Sequence, residues 1–138
     1  MTVITLQPND LHKAKLRVSD FWQLHESGAF DGYRKTELID GEIYYMNAQY
    51  RRHLMAKTDL HLALHAALIE MNSKFRAVTE GSVDMPEFGV PEPDIVLTSE
   101  PYGEGAIPVL SVGLIVEISD TTLKFDLENK ASLYAAAM

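Results

Sequence analysis

Two short apolar runs in the C-terminal half of the chain each carry an acidic residue, and this pairing constrains the fold most. Asp94 follows Pro93 and directly precedes the run 95–97, while Glu117 interrupts the run 114–118. Runs of this kind predict buried β-strands, where a carboxylate is costly to bury unless another group pairs with it. Two such carboxylates on neighbouring strands repel each other unless a cation lies between them. The two runs therefore predict a sheet with a cation-binding site at two of its strands.

The rest of the chain predicts alternating helices and strands. Ser19 is a suitable N-cap for a short helix that ends near Gly28, and Asp40-Gly41 between β-forming residues predicts a hairpin over 36–46. Apolar residues three or four apart predict a long helix over about 52–75. Later strands are predicted at 76–79, 94–98 and 109–119, the last being the most buried, followed by a helix over 123–138. This order indicates a mixed α/β layer fold.

Composition limits the class of protein. The chain has 138 residues, which is the size of one ordinary domain, and it contains no stretch near the roughly 20 apolar residues that span a bilayer. The segment 1–8 has neither a basic region nor a long apolar region, so we expect no signal peptide. The absence of cysteine excludes disulfides and thiolate chemistry and fits a cytoplasmic location.

The charge and the missing motifs exclude several functions. With 12 Lys and Arg against 20 Asp and Glu, the net charge of -8 argues against a general nucleic-acid coat protein. It does not exclude a nuclease, because a metal site uses acids. Neither a serine-hydrolase elbow nor a Gly-rich phosphate loop is present. His61 and His65 have a spacing that can bind metal, but no glutamate completes the zinc-protease pattern, so we favour a packing or solvated role.

A resemblance to a known family rests on an ordered set of segments. These are, in chain order, Glu37-Leu38-Ile39-Asp40-Gly41-Glu42, His53, Pro93-Asp94-Ile95-Val96, Val116-Glu117-Ile118-Ser119 and Asp126-x-x-x-Lys130-x-x-x-Tyr134-Ala135. Together they resemble the Uma-type restriction endonuclease family, a branch of the PD-(D/E)XK nuclease superfamily, from about residue 18 to the end of the chain. The resemblance implies a restriction-endonuclease-like core, in which helices flank a central mixed sheet.

The resemblance also implies roles for particular residues. Asp94 would be the metal-ligating aspartate, although Pro-Asp is also common in turns, and Glu117 would be the acid of the second motif strand. The commoner superfamily pattern places a lysine two residues after that acid, where this chain has Ser119. In the Uma-type family the lysine has moved to the following helix, which matches Lys130. His53 matches a recurrent histidine at the start of the long helix, and its role stays open.

Two of these assignments keep alternatives. Glu37 resembles the additional acid that many members supply from the N-terminal half, and it is preferred to Glu42 because the two flank the hairpin turn and differ in face or depth. Lys130 has a simpler interpretation as a solvated lysine that pairs with Asp126 four residues earlier. Lys124 is the fallback candidate for the catalytic lysine.

These residues predict a metal-dependent phosphodiesterase that acts on DNA. Asp94 and Glu117 would hold one Mg²⁺ or Mn²⁺, since oxygen ligands completed by waters suit these ions. Lys130 would position the attacking water or neutralise charge on the phosphate. The predicted catalytic set is therefore Asp94, Glu117, Lys130 and Glu37.

The end of the chain supports an alternative function. Family members continue past the last helix with a further apolar strand, whereas this sequence stops at Met138. We therefore expect a single domain over 1–138 that lacks this strand, with an exposed sheet edge that favours a homodimer. The alternative is a catalytically inactive nuclease-fold interaction module that dimerises. A small-molecule hydrolase with paired carboxylates has no supporting pocket signal.

Overall fold

The structure is a computed structural model that describes residues 1–4, 11–46, 48–119 and 123–137. The predicted helix end at Met138 and part of the segment 1–8 lie outside these ranges. The predicted mixed α/β class is confirmed. The elements are α1 (Val18–Glu26), β1 (Lys35–Ile39), β2 (Glu42–Met46), α2 (Arg51–Glu70), β3 (Arg76–Thr79), β4 (Val83–Asp84), β5 (Ile95–Thr98), β6 (Ile107–Pro108), a 3-10 turn (Val109–Ser111), β7 (Val112–Val116), α3 (Leu123–Phe125), a π-helical segment (Asp126–Lys130) and α4 (Ala131–Ala137).

The N-terminal helix and the hairpin lie close to their predicted positions. The N-cap of α1 is Arg17, so the prediction of Ser19 was wrong: the Arg17 backbone N–H donates to Asp20 Oδ2 at 2.8 Å, and this bond fixes the start of the helix. The hairpin of β1 and β2 turns at Asp40 and Gly41, whose φ angles are 49° and 81°. Two successive positive φ angles are what a tight two-residue hairpin turn requires, which explains why Asp-Gly predicted it.

The strands form three small sheets. β1 pairs with β2, β5 lies between β3 and β7 in an antiparallel sheet, and β4 pairs with β6 in parallel. The segment 109–119 was predicted as the most buried strand, and this was wrong. Its first three residues form the 3-10 turn, and β7 leaves Gly113 and Leu114 exposed. β7 pairs only with β5 among the described strands, so apolar composition alone did not distinguish an edge strand from a central one.

The long helix ends earlier than predicted. α2 stops at Glu70 rather than Phe75, because Asn72 takes a left-handed conformation with φ of 49°. Its leucines do not form a buried face, and Lys57 is its one buried residue. No helix among the described residues is both long and apolar enough to cross a bilayer.

Two apolar clusters hold the elements together. In the first, Phe21 packs with Leu38 and Val90, and the backbones of Leu38 and Val90 exchange hydrogen bonds of 3.0 and 2.8 Å that join the hairpin to the later chain. In the second, Leu133 and Tyr134 from α4 pack on the buried residues Val83, Met85 and Val96. The second cluster places the C-terminal helical region over the β3–β5–β7 sheet, so that the π-helical segment faces the ends of its strands.

Candidate active site

A cavity of about 190 Å³ lies between the hairpin, the start of α2, the ends of β5 and β7 and the π-helical segment. All four residues predicted as catalytic line it. The lining residues are Lys35, Glu37, Tyr44, Tyr45, Met46, Gln49, His53, Asp94, Glu117, Ile118, Phe125, Asp126 and Lys130. The cavity therefore brings together the whole set of residues that the sequence predicted as catalytic.

The pairing of β5 with β7 brings the two acids together. Asp94 directly precedes β5 and Glu117 directly follows β7, and the antiparallel register pairs Ile95 with Val116. Extending this register by one residue sets Asp94 against Glu117, and opposed residues of an antiparallel pair share a face. The backbone N–H of Ile118 donates to Asp94 Oδ2 at 2.8 Å, which ties the two strand ends. Both acids thus lie just outside their strands rather than within them.

Asp94 is buried and its other oxygen faces α2. His53 Nε2 lies 2.8 Å from Asp94 Oδ1, and because a carboxylate only accepts, Nε2 carries the proton. The Lys57 ammonium lies 3.9 Å from the same oxygen and binds more closely to Glu80, at 2.7 Å, and to Gln49, at 2.8 Å. The histidine whose role the sequence left open therefore contacts the predicted metal ligand.

Lys130 joins two carboxylates. Its ammonium lies 2.9 Å from Glu37 Oε1 and 3.1 Å from Glu117 Oε1, and Asp126 Oδ1 is farther away at 4.0 Å. The residue is buried and occupies the last position of the π-helical segment, a distortion that often occurs at functional sites. It is therefore not a solvated lysine paired mainly with Asp126. Lys124 is exposed and does not line the cavity.

Charge and burial have opposite effects on the pKa values of Glu117 and Lys130. Burial raises the pKa of Glu117, and Lys130 and the Tyr134 hydroxyl, which donates to Glu117 Oε1, only partly offset this. Burial lowers the pKa of Lys130, but the charges of Glu37 and Glu117 outweigh burial and raise it overall. Lys130 is therefore protonated at neutral pH, as an ammonium that neutralises a phosphate must be.

Glu37 and Glu42 differ in burial, as expected. Glu37 is 3% exposed and accepts a second bond, of 2.8 Å, from the backbone N–H of Glu92. Glu42 is half-buried next to the hairpin turn, where it forms an ion pair of 2.6 Å with Lys13 and accepts a hydrogen bond from the Tyr44 hydroxyl. Only Glu37 lines the cavity.

Three residues near the site were not assigned a role from the sequence. Lys57 is a buried cation on α2, Tyr134 binds Glu117, and burial raises the pKa of Glu92 to about 7. For Lys57 a signal existed, since it follows His53 by four residues and so shares its helix face. Tyr134 likewise follows Lys130 by four residues. Glu92 gave no comparable signal, because its contacts depend on how separate elements pack.

The donor chemistry fits a divalent metal ion. Asp94 and Glu117 offer carboxylate oxygens to one cavity, and Mg²⁺ is commonly held by one or two carboxylates while waters and phosphates complete its shell. A cluster of three or more His, Asp or Glu suited to metal is absent from the described residues. His61 and His65 stack with ring centroids 6.3 Å apart, and His61 bonds to the Ala77 carbonyl, in line with the packing interpretation.

Comparison with known proteins identifies the family of the chain. No curated protein matches the chain. The model of one family, described as Uma2, putative restriction endonuclease, matches residues 18–138. Families with restriction-endonuclease-like folds generally use divalent metals, and the family description implies DNA as the substrate. Since the match covers nearly the whole chain, the protein belongs to the Uma2 family of restriction endonuclease-like proteins.

Proposed function

We propose that the protein is a metal-dependent endodeoxyribonuclease that hydrolyses phosphodiester bonds in DNA, with Asp94, Glu117, Lys130 and Glu37 as its catalytic residues. One observation carries the proposal: the buried ammonium of Lys130 bridges Glu37 and Glu117 in the cavity that Asp94 also lines. The two carboxylates offset the desolvation cost of burying this charge and hold it at the cavity. Phosphate hydrolysis needs such a charge where negative charge develops.

Each of these residues would have a separate role in hydrolysis. Asp94 and Glu117 would hold Mg²⁺ or Mn²⁺, and the bound ion would supply Lewis acidity toward the scissile phosphate. An ammonium has three N–H donors, and the one donor of Lys130 that binds neither Glu37 nor Glu117 can turn to a phosphate oxygen. Glu37 fixes Lys130 in place, and His53 fixes the carboxylate of Asp94. Water adds to phosphorus as the bond to the 3′-oxygen breaks, so we expect products with 5′-phosphates, and we place this activity in the cytoplasm.

A cleavage assay tests the proposal. Supercoiled plasmid is incubated with the protein and either Mg²⁺, Mn²⁺ or EDTA, and nicked and linear products are separated on gels. Cleavage should require the ion, and Asp94→Asn and Glu117→Gln should abolish it. Glu104→Gln, an exposed loop acid away from the cavity, is the matched control and should cleave normally. Cleavage that survives in Asp94→Asn, or no cleavage by the folded wild type with either ion, contradicts the proposal.

The second candidate is an inactive nuclease-fold interaction module that forms a homodimer. The observation in its favour is an apolar stripe of Met55, Leu62 and Ile69 on α2, whose side chains are 60%, 58% and 67% exposed. Residues seven apart return nearly to one side of a helix, and Lys57 lies about 200° around from Met55, so the stripe faces away from the site. A dimer in sedimentation that cleaves no plasmid with either ion would favour this candidate over the enzyme.

A further inference from the structure

The cavity has an aromatic lining in addition to its acids. Tyr44, Tyr45 and Phe125 line it, and the rings of Tyr44 and Phe125 lie 4.7 Å apart. Tyr45 is 55% exposed and rests on the ring of Tyr33, with centroids 4.2 Å apart. An accessible aromatic ring of this kind offers a stacking surface for a nucleobase. Hydrolysis of a phosphate does not require such a surface, so the aromatic lining points to contact with another part of the substrate.

Lys35 is a cation beside this lining that forms no close ion pair with any described residue. It is 9% exposed and lines both the cavity and a smaller one of about 50 Å³, which shares Met46 and Gln49 with the first. Lys57 and Lys130 are buried lysines that form ion pairs, whereas the Lys35 ammonium forms none with any described residue. Glu80 and Glu92 line the smaller cavity with Lys35, and the charge of Lys35 lowers the pKa of both carboxyls. The Lys35 ammonium still has N–H donors that can bind an anion arriving with the substrate.

The stacking surface and the cation together match one kind of ligand. A nucleotide carries a flat base and a phosphate, and these match the aromatic lining and Lys35. The base faces are covered in a duplex, so a base reaches an aromatic surface only when it is unstacked from its neighbours. A cavity of about 190 Å³ is too small to admit a base pair with its neighbours.

We propose that the site takes an unpaired nucleotide, so that the preferred substrate is single-stranded DNA or a single-stranded flap rather than an intact duplex. This inference rests on the proposed nuclease function and names its substrate class. Tyr45 contacts the base, and Lys35 contacts a phosphate of the same strand. The net charge of -8 fits this mode, because the chain has little basic surface with which to hold a duplex by charge alone.

Binding is tested without cleavage. A fluorescein-labelled 15-mer single strand and a hairpin duplex of the same sequence are titrated with the protein in EDTA at one salt concentration, and fluorescence anisotropy gives each Kd. We expect the single strand to bind about tenfold more tightly than the duplex. A 2-aminopurine base in the single strand should be quenched on binding. Equal or tighter binding of the duplex overturns the inference.

Paired variants separate the two contacts. Tyr45→Ala should weaken single-strand binding about tenfold, through loss of one stacked base, and Tyr45→Trp should restore it. Lys35→Met should weaken it and reduce its salt dependence, whereas Lys35→Arg should bind like the wild type. The matched controls are Tyr102→Ala, an exposed tyrosine far along the chain, and Lys74→Met, an exposed lysine, and both should bind normally. If Tyr45→Ala and Lys35→Met bind like these controls, the inference is wrong.

Cleavage distinguishes a failure of this inference from a failure of the proposed function. With Mn²⁺, the wild type should cut the single strand faster than the duplex. Equal cutting of both contradicts the inference and leaves the nuclease function standing. Preferential binding of the single strand with no cutting of either DNA supports the nucleotide site and contradicts the nuclease function.

Discussion

At the scale of single residues, the site depends on how the charge of Lys130 is held. The ammonium is 3% exposed, which alone would favour its neutral form, but Glu37 and Glu117 each approach it within 3.1 Å. Removal of one partner from a buried ion pair leaves the other charge uncompensated, and this costs far more than the pair contributes. The three side chains therefore form one unit, so that in the proposed mechanism folding and catalysis are coupled.

Replacement of Lys130 should lower both the stability of the fold and the rate of DNA cleavage. Lys130→Met leaves Glu37 and Glu117 buried without a counter-charge, so we expect a loss of about 3–5 kcal/mol in the free energy of unfolding by urea, with Mn²⁺-dependent cleavage abolished. Lys130→Arg keeps the charge and should fold, but its longer head misplaces that charge and should reduce cleavage. Lys124→Met should leave both quantities unchanged. Normal cleavage by Lys130→Met would remove Lys130 from the mechanism, and a loss in Lys124→Met would transfer its role there.

Glu92 gives a pH-dependent contribution to stability. Burial raises its pKa from 4.5 to about 7, Lys35 opposes the shift and Glu37 adds to it. The folded protein therefore binds this proton more tightly than the unfolded chain does. The resulting stability is fully present below pH 4.5 and is lost as the pH rises through about 7.

In EDTA, Glu92→Gln should raise the Tm relative to the wild type at pH 8 and change it less at pH 5. The control Glu104→Gln should show no such dependence, and a Tm difference for Glu92→Gln that is the same at both pH values would contradict the assignment.

At the scale of elements, α2 is attached to the sheet by polar contacts. His53, Lys57 and His61 follow one another at intervals of four, and they bind Asp94, Glu80 and the Ala77 carbonyl respectively. Lys57 is the one buried residue of the helix. A helix held through hydrogen bonds of this kind controls the position of the groups it contacts, and Asp94 is the first of them.

This attachment predicts an effect of His53 on metal binding. Loss of a group that orients a metal ligand typically costs 10–100-fold in affinity. His53→Ala should therefore weaken Mn²⁺ binding, measured by isothermal titration calorimetry, by about tenfold or more, while the far-UV spectrum stays that of the folded protein. His53→Asn, which can still donate to Asp94, should recover part of the loss. His65→Ala, an exposed histidine on the same helix, is the control. If His53→Ala binds Mn²⁺ as the wild type does, α2 does not position Asp94.

The sequence predicted elements with a local cause better than those set by packing. The hairpin followed from Asp40-Gly41, because two positive φ angles favour those residues whatever surrounds them. The π-helical segment had no local signal, since its shape depends on Lys130 reaching acids from two other elements. The segment 109–119 was predicted to be more buried than it is, because an apolar run does not show whether neighbouring elements cover it. Asp94, Glu117 and Lys130 were found to share a cavity, but the contacts of Tyr134 with Glu117 and of Lys57 with Asp94 became apparent only with the fold.

At the scale of the whole molecule, the candidate active-site cavity and the apolar stripe of α2 lie on different sides of the same helix. His53 lines the cavity and the Lys57 ammonium lies 3.9 Å from Asp94 Oδ1, while the exposed residues Met55, Leu62 and Ile69 face away from the site. Exposed apolar side chains that repeat every seven residues are typical of helices that pair. A symmetric contact between two copies would cover the stripe and leave each cavity open, so association and cleavage can be tested separately.

Association should therefore depend on Leu62, the centre of the stripe. We expect sedimentation equilibrium at tens of micromolar to show a homodimer, since apolar surface of this kind is unfavourable in water. Leu62→Glu places a charge at the centre of the contact and should give a monomer, because burial of two unpaired carboxylates opposes pairing. Leu110→Glu, which introduces the same charge at an exposed leucine outside α2, should remain a dimer. A monomeric wild type across this concentration range would contradict the dimer. Loss of the dimer in both variants would place the contact elsewhere than on the stripe.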